Sequence, residues 1–188
     1  MKSLQGHLLV ASPKLVDPNF FHTVVLLVQH NQEGALGLVL NRPLQTTVQE
    51  MWQEVGESEC EVDQPLHQGG PCEGPLMVVH ATRSSAEIEV SEGVYFCTSR
   101  ERIEALIGLG GDDSDGKALK FFVGYSGWTA GQLEAELEEG SWLTLDANPQ
   151  AIFQGDEHLW SDLVRALSRA SVTGMVDPKR IPDDPSVN

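Results

Sequence analysis

The sequence predicts an α+β domain, and three observations carry that assignment. Short runs rich in Val, Leu, Ile and Phe recur along the 188 residues, helical apolar stripes lie among them, and the two kinds do not alternate as strictly as a doubly wound sheet requires. With 40% hydrophobic residues, a chain of this length buries one sizeable core. Residues 1–174 are therefore expected to form one domain. Residues 175–188, which include DPKRIPDDPSVN with three prolines, are expected to be an extended or mobile tail.

Taken in order, Leu8 to Ala11 reads as a strand, and Thr23 to His30 and Leu36 to Leu40 read as a hairpin turning at Asn31 to Gly34. The hairpin is almost continuously apolar, so both of its faces should be covered. Arg42 and Pro43 end it, because proline has no amide for a ladder. Thr47 with Glu50 forms a capping box ahead of Val48, Met51, Trp52 and Val55, which share one helical face up to a stop at Gly56. Glu57 to Asp63 reads as a solvated acidic loop. Leu66 to Gln68, Leu76 to Ala81, Ile88 to Val90 and Tyr95 to Thr98 read as short strands.

Ser99 caps a helix carrying Ile103, Leu106 and Ile107, closed by Gly108, Gly110 and Gly111. Asp112 to Gly116 is a hydrophilic turn, and Leu119 to Tyr125 is a strand. Ser126 then sits in a tight turn, and Thr129 and Gln132 form a second capping box before Leu133, Leu137 and the closing Gly140. Trp142 to Leu145 returns as strand. A last helix starts from Asp156 as N-cap and carries Leu159 or Trp160, Leu163, Val164 and Leu167 on one stripe.

Charge narrows the partners. Twelve Lys and Arg against 28 Asp and Glu give a net charge of −16, and no cationic stripe is visible, so nucleic acid and anionic membrane are disfavoured. Cys60, Cys72 and Cys97 contain no CxxC pair and read as reduced thiols. No secretory signal is read after Lys2, since Gln5, Gly6 and His7 interrupt the apolar stretch, and Val24 to Val28 is too short to span a bilayer. The expected location is the cytoplasm.

Most catalytic patterns fail on inspection. GYSGW resembles a nucleophile elbow around Ser126, but Trp128 stands where GxSxG needs glycine. The glycines at 108, 110 and 111 break GxGxxG at Asp113, and DDSDG lacks the ligand spacing of a calcium loop. His67, Cys72 and His80 would meet around zinc only if the GGP turn set their strands face to face; the expected arrangement instead has His80 ending a buried strand with its ring bonded to backbone. No cofactor and no metal are expected. What remains is a set of polar or special residues at strand ends, Asp17, Asn19, Asn41, Arg42, Gly69, Gly70, Tyr125, Trp128 and Gln132. They are candidate ligand contacts, with Arg42 suited to a carboxylate or phosphate. The competing reading makes them turn and packing residues.

The run FFVGYSGWTAGQLEAELEEGSWL from Phe121 to Leu143, together with DPNF at Asp17, GALGLVLNRP at Gly34 and QGGP at Gln68, resembles the AlgH/YqgE family of bacterial proteins. The likeness extends from Gly6 through GSWL at Gly140. The resemblance implies a small cytosolic protein with a compact α+β fold of bent, bifurcated sheets. It transfers no catalytic residue, and some members carry a transcriptional-regulator label without a DNA-binding motif. Cys72 and Ser126 depart from the pattern, which commonly has an aliphatic residue and an alanine there. The function expected is a regulatory or protein-interaction role without catalysis, through a protein partner. The alternatives are a small-molecule site near Asn41, Arg42 and Trp128, and direct DNA binding, which the charge opposes.

Overall fold

The structure, a computed structural model, describes residues 2–55, 60, 62–108 and 118–172. The tail at 175–188, the stop at Gly56, the glycines at 110 and 111 and the turn at Asp112 to Gly116 lie outside them. In chain order the elements are β1 (His7–Ala11), β2 (Val24–Asn31), β3 (Gly34–Val39), β4 (Pro43–Thr47), α1 (Val48–Val55), β5 (Pro65–Gln68), β6 (Met77–His80), β7 (Ile88–Ser91), β8 (Val94–Cys97), α2 (Arg100–Gly108), β9 (Leu119–Val123), β10 (Ser126–Thr129), α3 (Gln132–Glu138), β11 (Trp142–Asp146), α4 (Pro149–Phe153) and α5 (Leu159–Val172). They build the expected α+β fold from two sheets. One is antiparallel throughout, in the order β10-β3-β2-β1-β11. The other runs β4-β5-β9-β6-β8-β7 and is mixed, because β5 and β9 are parallel.

Three apolar layers explain the continuous strands. Leu26, Val28 and Leu38 of the hairpin meet Met77, Val79 and Phe122 of the second sheet in an inner layer that Ile152 and Leu159 help close. On the outer face of the first sheet, Val25, Leu27 and Val39 pack with Leu133 and Trp142. The outer face of the second sheet carries Val78 and Phe121 under Trp52, Ile103 and Leu106. Alternate residues of Val24–Val28 in β2 therefore enter different layers, so a polar side chain at any of these positions would be costly.

The two sheets divide at a glycine seam. β3 pairs with β10 over its first four residues and then leaves it, the Val39 amide donating to the Gly69 carbonyl at 2.9 Å. Gly69 in turn donates to Val123, and Cys72 and Tyr125 exchange two backbone bonds at 3.0 Å. A Cβ on Gly69 would lie 2.3 Å from the Gly124 carbonyl oxygen, and one on Gly70 would lie 2.3 Å from the Tyr125 carbonyl carbon. Only glycine permits that approach.

Local signals hold at α1, where Thr47 Oγ1 accepts from the Glu50 amide at 3.1 Å and Glu50 returns the bond to the Thr47 amide at 2.9 Å. Others are corrected. Pro43 does not merely end a strand, since it opens β4, where its missing amide falls at the strand's first residue. The acidic loop reading fails at Cys60 and Val62, which are buried under α1 and α2. Ser126 is no turn residue: it begins β10 opposite Gly37 and is fully buried. Thr129 stays in that strand, and α3 starts three residues later behind Gly131 at φ 77°, although the Gln132 carbonyl oxygen still takes the Thr129 amide. Asp156 caps a turn rather than α5, accepting from the His158 amide at 2.8 Å. α4 was not foreseen; Asn148 caps it, with proline following as the sequence rule for N1 allows. His80 does end a buried strand, but its ring nitrogens have no hydrogen-bond partner.

Two consequences are measurable. Trp52 sits buried between α1 and the second sheet, so Trp52→Ala should cost roughly 3 to 5 kcal/mol in chemical denaturation. Burial holds the His80 pKa down to about 4, against an ordinary value of 6.5. Between those values the unfolded chain takes up a proton that the native state refuses, so stability falls as pH drops through that window. The loss attributable to His80 from pH 7 to 5 should be about 2 kcal/mol, and His80→Met should remove that share of the slope.

Candidate functional site

The predicted site residues fall into three groups, and each is engaged with the chain's own backbone or side chains. The first surrounds the loop from Ser12 to His22. Asp17 Oδ1 accepts from the Asn19 amide at 2.7 Å, and the Asp17 carbonyl takes the amides of Phe20 and Phe21. Asn41, buried, bonds at both ends of its amide: Oδ1 accepts from the Val24 amide and Nδ2 donates to the His22 carbonyl, both at 2.9 Å. Arg42 donates to the carbonyls of Pro18 at 3.3 Å and Phe21 at 3.4 Å. Burial lowers its pKa from the ordinary value, and the Asp17 carboxylate pulls it back.

His22 has a φ of 56°, a left-handed backbone unusual for a side-chain-bearing residue. Its ring lies between Phe21 at 3.7 Å and Trp160 at 3.6 Å, and the Trp160 indole donates to the Ala11 carbonyl. Phe20 points inward against Trp128 at 5.8 Å and Trp142 at 5.3 Å. Here the second group joins. One Glu136 oxygen accepts from the indoles of both Trp128 and Trp142, at 2.9 and 2.8 Å, while the other takes Gln132 Nε2 at 3.0 Å. Asn41, Arg42 and Trp128 therefore gather round one object, and that object is the loop itself.

Gly69, Gly70 and Tyr125 form the third group, at the seam. Ser126 Oγ donates to the Gly69 carbonyl at 3.1 Å, so the hydroxyl of the nucleophile-elbow look-alike ties the two sheets together. The zinc triad does not assemble. His67 pairs with Phe122 and faces the inner layer, whereas His80 pairs with Leu119 and faces the outer one, so the sheet separates them.

A different place collects buried polar groups that sequence reasoning missed. A cleft of about 600 Å³ is lined by Pro43, Pro65, His67, Lys120, Phe153 and Gly155 among others. Lys120 is only 4% exposed, and its ammonium donates to the Gly155 carbonyl at 2.7 Å. Burial brings its pKa down to about 8, opposed by the nearby Asp156 carboxylate. His67 is 7% exposed with Nδ1 unpartnered, and burial together with the Lys120 charge brings its pKa down to about 4. The available signal was a single lysine inside the apolar strand LKFFV, which only a buried partner or cavity explains.

Loop anchoring has a graded expectation. Arg42→Ala should cost about 1 kcal/mol and speed hydrogen exchange across residues 18–22, because its bonds are long and partly solvated. Asn41→Ala should cost about 2 to 3 kcal/mol, since it strands a buried amide and a carbonyl. Unfolding of the whole protein by Arg42→Ala would contradict the first; an Asn41→Ala protein as stable as the parent would contradict the second.

Comparison with known proteins agrees with this architecture. The family described as AlgH-like matches residues 8–171. A UPF0301 protein of Chlorobaculum tepidum is 41% identical over 165 residues, covering 86% of this chain and 85% of the relative. One from Vibrio vulnificus is 37% identical over 161 residues, covering 80% and 84%. The solution structure of the AlgH protein from Pseudomonas aeruginosa superposes with a TM-score of 0.71 at 32% identity, over 94% of this chain and 96% of that one. A Corynebacterium diphtheriae crystal structure shares the fold, with a TM-score of 0.64 at 22% identity over 88% of each chain. Sequence and fold agree over the same span, from the first strand into the last helix, and this chain belongs to the AlgH-like family.

Proposed function

We propose that this chain is a cytoplasmic, non-enzymatic regulatory protein that docks a basic protein partner on its 12–22 loop. The observation that carries the reading is the loop's own construction. Val16, 84% exposed, and Phe21, 46% exposed, are the exposed large hydrophobic residues among those described, and both stand on this one loop. The polar residues beneath them hold that loop in place. A preorganised aromatic presented to solvent lowers the ordering cost of association.

Charge indicates the partner's chemistry. The Ser12 amide donates to the Ser141 carbonyl, so the loop starts beside the C-terminal end of α3, where Glu138 and Glu139 are exposed. With a net charge of −16, the complementary surface is an apolar pocket rimmed by lysine and arginine. Two groups that could act as nucleophiles support a non-catalytic reading. Ser126 is buried and bonded at the seam, and burial pushes the Cys97 thiol up to about 12, where it is not a thiolate at neutral pH.

The test compares the parent protein with a Val16→Asp/Phe21→Asp variant as bait in the source cytosol, by quantitative mass spectrometry at two salt concentrations. The expected result is a defined protein, retained by the parent, lost with the variant and released as salt rises, while the variant keeps a cooperative melt. Equal capture by both baits would remove the loop as the docking surface. Capture that is insensitive to salt would remove the basic partner.

A further inference from the structure

We propose that the cleft beside Lys120 binds a small organic monocarboxylate with an apolar body. Four features converge there and none is used by the docking loop. The cleft, at about 600 Å³, has the size of a small-molecule site. Pro43, Pro65, Leu119 and Phe153 give it apolar walls. The Lys120 ammonium spends one of its three donors on Gly155. The His67 ring, 7% exposed, lines the same cleft.

A carboxylate satisfies the Lys120 ammonium, one of its oxygens accepting from Nζ while the organic body displaces water from the apolar walls. The anion should carry a single charge. Lys120 is the one cation lining the cleft among the described residues, and Asp156 at the rim repels a second negative charge. A phosphate dianion would bring more charge than this site can neutralise.

Binding is linked to protonation in a way that structural burial alone would not produce. Lys120 faces His67 from β5 and Asp156 from the segment before α5. Burial keeps His67 neutral near pH 8 and brings the Lys120 pKa down to about 8. A bound anion favours the ammonium, so benzoate should bind with more proton uptake at pH 8 than at pH 6.

Isothermal titration with sodium benzoate, with benzamide as its neutral counterpart and with inorganic phosphate, tests this on the intact protein. Expected are saturable benzoate binding, at least tenfold weaker binding of benzamide and phosphate, and the stated proton uptake, read from buffers of different ionisation enthalpy. Lys120→Met should weaken benzoate at least tenfold while keeping a cooperative melt. If that variant does not fold, the preference of the parent protein for benzoate over benzamide and phosphate decides the question. The proposal is overturned by absence of saturable benzoate binding, by benzamide or phosphate binding as tightly, or by a folded Lys120→Met protein that binds benzoate unchanged.

Discussion

The close approach of backbones at Gly69, Gly70 and Gly124 is the constraint on which the rest of the structure depends. The backbones approach so closely there that a Cβ at Gly69 would sit 2.3 Å from the Gly124 oxygen and one at Gly124 would sit 2.9 Å from the oxygens of Gly70 and Cys72. That approach lets the Gly69 carbonyl serve both the Val39 amide of one sheet and the Ser126 hydroxyl at the start of β10. The two sheets can then splay apart without leaving a row of unpaired backbone groups at the division. The inner apolar layer exists because they splay there, since Leu38 from one sheet and Phe122 from the other meet immediately beside the seam.

From the seam outward, the polar residues act as tethers. Asn41, at the end of the central hairpin, bonds both to the start of β2 and to His22, so the loop that precedes β2 is held to the strand that follows β3. Phe20 wedges between Trp128 and Trp142, whose indole donors are gathered by one carboxylate oxygen of Glu136. A buried carboxylate oxygen with two N–H partners is well satisfied. The same carboxylate group holds Gln132 at the first turn of α3, so the aromatic cluster, the helix and the loop share one polar centre. His30 extends the pattern: its Nδ1 accepts from the Leu4 amide and its Nε2 donates to Glu134 at 2.7 Å, fastening the N-terminal segment and α3 to β2.

Against these satisfied groups, the polar side chains that lack partners carry the most information. His80 lies in the outer layer beside Leu119, Val78 and Cys97 with neither ring nitrogen hydrogen-bonded, and burial keeps the ring neutral. Lys120 differs because a cleft opens beside it, so the ammonium donors left over from Gly155 have space nearby that a ligand can occupy. Apolar walls strengthen any charge-assisted bond made there, since the surrounding dielectric is low.

The sequence by itself determined the strands other than β4 and β10, the first capping box and the two-sided burial of the hairpin, because these are local: side-chain period and one-turn hydrogen bonds need no knowledge of distant residues. The unbroken apolar run of β2 announced that both of its faces would be covered, and the layers on either side do cover it. Tertiary structure alone decided the remainder. Whether Arg42 would meet a ligand or a loop carbonyl depended on where residues 18–21 returned, some twenty positions earlier in the chain. Ser126 reads as a turn by its flanking glycines, yet pairing with Gly37 draws it into a strand. Cys60 and Val62 sit in an acidic segment, and only the docking of α1 and α2 on the second sheet buries them. Lys120 looked like one charge among several, and the cleft that gives it a use is formed by β4, β5, β9 and the turn after α4, segments far apart in sequence that meet only when the sheets close.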